Sequence, residues 1–272
     1  MIDPTEHRTR IEEWRAARYA ALRRDIGWLT LAGLDWLRPG SNRVGSAPDA
    51  DVVLPSGPPE VGLLEVGPDR VTASGAWLHA GKPVDRIRLV SDADGAPTLL
   101  ELGRLRQCLI ERSGRLALRT WDLGSSARNA FAGIDHWPVD VAWRLEARLE
   151  ATPGRTITVP DVFGGTDEEE SPSDIVFEVG GETHRLQALP GGDNGELWLI
   201  FGDATNGRET YGGGRYLYTD APDATGHVVI DFNRAYNPPC VFTPYATCSL
   251  PWPANRLPIR VEAGERTYDA GH

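Results

Sequence analysis

Two C-terminal segments hold residue types that do chemistry. One reads DFNRAYNPPCVFTPYATC over positions 231–248, the other FGDATNGRETYGGGRYLY over 201–218. Asp231 and Asn233 are two apart, so on a strand both side chains take one face and Phe232 the other. A buried Asp is costly unless paired, so Asp231 is either half of an ion pair with Arg215 or Arg234, or an acid/base group. Asn237 precedes Pro238, which pushes its backbone to an extended form where the side chain bonds its own turn. Cys240 is a nucleophile only if a histidine lies beside it. His227, His136 and His184 are the candidates, no local motif selects one, and a buried inert thiol is the alternative. Gly212, Gly213 and Gly214 free the backbone for positive φ or for close approach of another group. Flanked by Tyr211, Arg215 and Tyr216, they can offer amides and a fixed cation to an anionic or carbonyl oxygen, or form a tight β-turn with an exposed arginine.

A third group is central. Asp135-His136-Trp137 sets a histidine beside a carboxylate and an indole, as a general base or as a satisfied turn residue, with Arg128 and Asn129 nearby. The expected site is a pocket built by Gly212–Tyr216 and Asp231–Cys240 and closed by Arg128–His136. In it Asp231 or His136 is the acid/base. Tyr211, Gly213, Arg215, Tyr216, Asn233, Tyr236, Asn237, Cys240 and Arg128 bind a small polar or anionic molecule, with Arg215 and Asn233 as the clamp. The implied chemistry is hydrolysis or acid/base transfer without an organic cofactor or a metal. The competing reading is a non-catalytic interaction module whose C-terminal motif is a structural clasp.

Several signatures are absent. There is no Gly-x-Ser-x-Gly elbow, no His-Glu-x-x-His helix and no Cys-x-x-Cys pair. GAWLHAGK at 75–82 has one residue too many for a phosphate loop, and Pro83 stands where Ser or Thr should hold magnesium. Asn237-Pro238-Pro239-Cys240 lacks the aromatic of the amino-methyltransferase motif. Asp167–Glu170 reads as a short solvated acidic loop.

These groups need a scaffold. Asp3 at the N-cap, Pro4 at the first helical position and Glu6 three after the cap start a helix that runs to Gly27, with Ile11, Trp14, Ala17, Ala21 and Leu22 as its apolar stripe. Trp28–Leu37 reads as a hairpin about Ala32-Gly33. Short strand-like runs follow from 51 to 121 and resume from 143, the last being LPIRVEAGE at 257–265. Gly180-Gly181 marks a hairpin at 174–189. No alternation of strands with long helices supports a doubly wound or TIM architecture. The expected fold is mainly β, a sandwich or barrel of short antiparallel strands with one N-terminal α-helix. Its divisions are the helix at 1–27, a β subdomain at 28–133 and a C-terminal β subdomain at 134–272, or one compact unit.

The chain has 272 residues and a formal net charge of −11. That charge disfavours nucleic acid and anionic membrane surfaces as partners. Three cysteines are too few for a disulfide framework and fit a reducing compartment. With no signal-peptide stretch and no apolar run of membrane length, the expectation is a cytoplasmic protein.

Asn42–Pro55 (NRVGSAPDADVVLP) resembles the opening of a forkhead-associated domain, without the Ser-x-x-His element of its phosphopeptide site. A broader resemblance joins GWLTLAGLDWL, GSAPDADVVLP, DATNGRETYGGGRYL and DFNRAYNPPCVFTPYATC over nearly the whole chain. Together they resemble domain-of-unknown-function family 1684, found in bacteria and archaea. That resemblance implies a mainly β protein, with Tyr211, Gly212–Arg215, Tyr216, Asp231–Asn233 and Tyr236–Cys240 at motif positions, and it implies no activity. Ser249-Leu250-Pro251-Trp252 departs from the more proline-rich turn the family would have.

Overall fold

The computed structural model describes residues 3–192 and 194–269. Among them the chain is mainly β, built of largely antiparallel sheets with one long helix. It forms two compact units: Met1–Ala20, Ala132–Phe242 and Thr247–His272 make one, and Ala21–Phe131 with Thr243–Ala246 the other. The N-terminal helix therefore groups with the C-terminal strands.

Helix α1 spans Pro4–Leu22. Asp3 Oδ1 accepts from Thr5 N at 2.7 Å, which satisfies a first-turn donor. Past its end, a Cβ at Gly27 would sit 2.7 Å from the Leu22 carbonyl, so the chain closes over the last turn only with glycine. The expected apolar stripe needs correction: Ala17 and Ala21 are exposed. The inward stripe is His7, Ile11, Trp14 and Arg15, Arg18 and Tyr19, then Leu22, spaced three and four apart with polar residues among the apolar ones.

In the unit formed by residues 21–131 and 243–246 the strands are β1 (Leu31–Trp36), β2 (Gly40–Gly45), β3 (Val52–Val53), β4 (Gly62–Val66), β5 (Val71–Gly75), β6 (Leu78–His79), β7 (Lys82–Pro83), β8 (Ile87–Leu89), β9 (Leu100–Leu102), β10 (Leu105–Arg112) and β11 (Arg115–Asp122). One sheet runs β1-β11-β10-β9-β6-β7 and another β3-β2-β4-β5-β8. Val44, Leu64, Trp77, Leu100 and Leu118 are buried together, and Trp77 Nε1 donates to Gln107 Oε1 at 2.7 Å. Trp28–Leu37 is not a hairpin: a 3-10 turn (Trp28–Thr30) leads into β1, which passes straight through Gly33 with a register shift against β11. In the forkhead-like segment, Asn42 turns its amide inward onto the Arg38 backbone. A short helix, α2 (Ser126–Ala130), closes this part of the chain.

In the other unit the strands are β12 (Arg144–Ala151), β13 (Thr156–Pro160), β14 (Thr166–Glu170), β15 (Ser173–Val179), β16 (Glu182–Pro190), β17 (Leu197–Phe201), β18 (Arg215–Tyr218) and β19 (His227–Asp231). The main sheet is ordered β18-β17-β16-β15-β12-β19. Gly180 and Gly181, at φ 63° and 82°, make the β15–β16 turn that the Gly-Gly pair predicts. Ile175, Phe177, Leu199, Phe201, Ile230 and Phe232 share its core. Two segments differ from expectation. Asp167–Glu170 is strand, not loop, because it pairs along β13. LPIRVEAGE joins no sheet.

Candidate functional site

Asp231 ends β19 and opens the 3-10 turn Phe232–Arg234, so Asn233 is not on the strand. The two still meet, because Asp231 Oδ1 accepts from Asn233 N at 3.1 Å and from Asn233 Nδ2 at 2.9 Å. Asn233 is fully buried, and its amide also bonds the Asp140 backbone on both sides, at 3.0 and 2.8 Å. These bonds orient the carboxylate so that Oδ2 faces His7. His7 Nε2 lies 2.7 Å from Asp231 Oδ2, with side-chain exposures of 3% and 10%. His7 Nδ1 is buried without a hydrogen-bond partner among the described residues.

This pair lines a cleft of about 170 Å³, with Arg10, Ile11 and Trp14 on α1, Arg144 on β12, Val229 on β19, and Asp220 and Arg234. Arg144 is the direct cross-strand neighbour of Asp231. Among the described residues the three guanidiniums form ion pairs at the surface: Arg10 with Glu6, Arg144 with Glu146 and Arg234 with Asp220, at 2.5, 3.1 and 3.1 Å. Each of those carboxylates is more than half exposed, so each pairing is weak and exchangeable. The cleft therefore sets a buried histidine–carboxylate pair beside guanidiniums with exposed, exchangeable partners.

The other expected site residues lie elsewhere. Arg215 is fully buried and does not meet Asp231. Its Nη2 donates to Asp203 Oδ2 and to the Val261 carbonyl, each at 2.8 Å, and its Nη1 donates to the carbonyls of Ala263 and Glu265. Burial lowers the Arg215 pKa, and Asp203 opposes the shift. The glycines before it serve packing: a Cβ at Gly214 (φ 87°) would sit 2.4 Å from Pro251 Cγ, and one at Gly213 would meet the Tyr211 ring at 2.4 Å.

Asn237 is also closed in. Its N–H donates to Glu265 Oε2 at 2.6 Å, its carbonyl accepts from Arg18 at 2.9 Å, and its Nδ2 donates to the Arg266 carbonyl at 2.8 Å. Glu265 is fully buried and takes the Arg18 guanidinium on both oxygens. Tyr236 exchanges backbone bonds with Tyr216, and its ring lies under the Arg18 guanidinium, 4.4 Å from Cζ. Tyr216 donates to the Ser249 carbonyl at 2.7 Å. Burial pushes both phenols up, so neither gives a proton near neutral pH. Cys240 touches Tyr211 and Cys248 rather than a histidine.

His136 and Asp231 share no bond. The His136 Nδ1 contacts the Ile134 carbonyl at 2.7 Å, the backbone bridges Glu265, and burial lowers its pKa, aided by Arg15. Arg128 belongs to the other unit, where it pairs with Asp25 at 2.7 Å. The residue that sequence reasoning misses is His7. Its four-residue spacing to Ile11 places it on the buried stripe of α1, and a histidine there needs a polar partner.

Among the described residues no helix is long and apolar enough to cross a membrane, and no cluster of metal-ligating side chains occurs. The model of the family described as "Protein of unknown function (DUF1684)" matches residues 129–266, so the match excludes the forkhead-like segment. A solution NMR structure of an uncharacterized protein from Haloarcula marismortui is 29% identical, with a TM-score of 0.43, over 53% of this chain and 81% of that one. No curated protein matches.

Proposed function

The chain belongs to the DUF1684 family, and since that description carries no activity, we propose a function from the geometry: it binds a small anionic molecule in the α1–β19 cleft and performs acid/base chemistry on it. The carrying observation is the buried His7–Asp231 pair, 2.7 Å apart, beside Arg10, Arg144 and Arg234. Asp231, the more exposed partner, faces the ligand. His7 sits behind it, 2.7 Å from Oδ2, placed to give or take the proton through that oxygen. Asn233 keeps the carboxylate in place during the transfer. The arginines exchange their exposed partners for the anionic group, and the reaction this supports is hydrolysis or proton transfer at an adjacent carbon or oxygen.

Thermal unfolding against a panel of inorganic phosphate, sulfate and small carboxylates tests this. At least one anion is expected to raise the Tm of the wild type in a concentration-dependent way, reaching about 2.7 kcal/mol at a hundredfold excess over Kd. Arg144→Gln with Arg234→Gln is expected to abolish the rise. If no anion stabilises the wild type, or if the double variant responds equally, the assignment fails.

For the rest of the motif the internal bonding favours a second reading, the structural clasp. Arg215, Asn237 and Glu265 have no exposed surface and bond to internal partners, Arg215 to Asp203 and the Asn237 N–H to Glu265. On this reading the segment has two roles, Asp231 in the cleft and Asn237 onward in the clasp.

A further inference from the structure

We propose that Cys240 and Cys248 are a reversible thiol–disulfide pair that hydroperoxides oxidise, a modification site separate from the His7–Asp231 cleft. All three cysteines are free thiols, and this pair is packed together in a proline-fixed loop. Cys240 N donates to Cys248 Sγ at 3.0 Å, so the second sulfur lies against the backbone of the first cysteine. The Tyr211 hydroxyl lies 3.5 Å from Cys240 Sγ. A 3-10 turn at Pro239–Val241 holds one cysteine, and the Cys248 carbonyl, accepting from Val162 N at 3.0 Å, anchors the other.

The pair is chemically asymmetric. Cys240 is half-buried while Cys248 is 3% exposed, so an oxidant meets Cys240 first. Bonding to Cys248 holds the Cys240 thiol below the ordinary cysteine value, with Tyr211 adding to the effect. The same bond and burial push Cys248 up. Tyr211 and Tyr216 are the titratable groups that face the pair; both phenols are themselves pushed up and stay neutral. Lower pKa and partial exposure together mark a sensor thiol beside its resolving partner.

The steps balance. The Cys240 thiolate attacks one oxygen of the hydroperoxide, the O–O bond breaks, and a sulfenic acid and an alkoxide or hydroxide result. Cys248 sulfur then attacks the Cys240 sulfur, the S–O bond breaks, and water leaves with the Cys248 proton. The two sulfurs lose two electrons and the hydroperoxide gains them. A small thiol reverses the bridge by exchange.

The experiment exposes the full folded chain to hydrogen peroxide, blocks the remaining thiols and maps the peptides by mass spectrometry. The expected result is a linked 240–248 peptide within one chain, loss of two of the three thiols, and recovery with dithiothreitol. Cys108, buried and pushed up to about 11, stays alkylatable and serves as the internal control. In Cys248→Ser, dimedone is expected to trap sulfenic acid on Cys240. In Cys240→Ser, oxidation at 248 is expected to slow by roughly tenfold or more, following the lost thiolate. Retention of all three thiols at a dose that oxidises free glutathione overturns the proposal, as does a bridge to Cys108 or between chains. The wild-type measurement decides it even if a variant fails to fold.

Discussion

A guanidinium with no exposed surface keeps its charge, because arginine does not deprotonate in proteins, so Arg215 has to be neutralised where it sits. Asp203 supplies the charge, and the carbonyls of Val261, Ala263 and Glu265 accept from Nη1 and Nη2. Breaking such a set leaves an uncompensated buried carboxylate. Arg215→Met is expected to cost about 3–5 kcal/mol, against about 1 kcal/mol or less for Arg234→Gln, whose partner Asp220 is 70% exposed. The urea midpoints of the two variants check this; equal losses would place Arg215 outside the clasp. The prominence of Asp231 and Arg215 was readable from residue type alone, since a carboxylate and a guanidinium beside apolar strands must find partners. Their partners were not readable. His7 lies 224 positions from Asp231, a pairing made by three-dimensional packing with no local signal.

At the scale of elements, long periodic segments were legible and those shaped by their neighbours were not. The β15–β16 hairpin follows from its alternation and its Gly-Gly turn. β14 does not, because its acidic residues point outward and β13 supplies Ile157 and Val159 for burial. The 257–265 stretch reads as a strand yet joins no sheet. Its alternate carbonyls at 261, 263 and 265 face Arg215 instead of a neighbouring strand, so one side chain does the work of a ladder. β1 offers a prediction of its own. It is an edge strand, and burial raises its Asp35 carboxyl to about 6 from 3.8. A carboxyl raised in the folded state binds more protons there than in the unfolded chain. Its contribution to stability is therefore full below about 4 and is lost as pH rises through about 6. Asp35→Asn is expected to remove that decline and to gain on the order of 1 kcal/mol at pH 7, after allowance for partial exposure. Denaturation midpoints at pH 4, 5, 6 and 7 read the effect, and parallel pH profiles for the two proteins would refute it. A charge on the edge also resists sheet-to-sheet association, so the Asn variant is expected to scatter more light on concentration.

For the whole molecule, position in the sequence and position in the fold disagree. The family match begins at 129 and the C-terminal core follows it, yet the unit that holds this core also takes α1 from the start of the chain. α1 brings His7 to Asp231, Arg18 to Glu265, and Ile11 and Trp14 to the cleft. Sequence patterning finds the helix and its caps but not its destination, because the residues that dock it are polar ones within an otherwise apolar stripe. Such a helix should behave as a detachable ligand for the rest of the unit. A chain lacking residues 1–22 is expected to regain native thermal stability when a peptide of residues 3–22 is added, with Trp14 fluorescence reporting the docking. Glu265 has no exposed surface once α1 is seated, so a peptide carrying Arg18→Ala leaves a buried charge unpaired. That costs about 3 kcal/mol, or roughly a hundredfold in Kd. Pairing the same peptide with a Glu265→Gln chain should recover most of the loss, since a neutral amide no longer demands the guanidinium. If the Arg18→Ala peptide binds as tightly as the native one, apolar contacts alone seat the helix and the clasp stands without it.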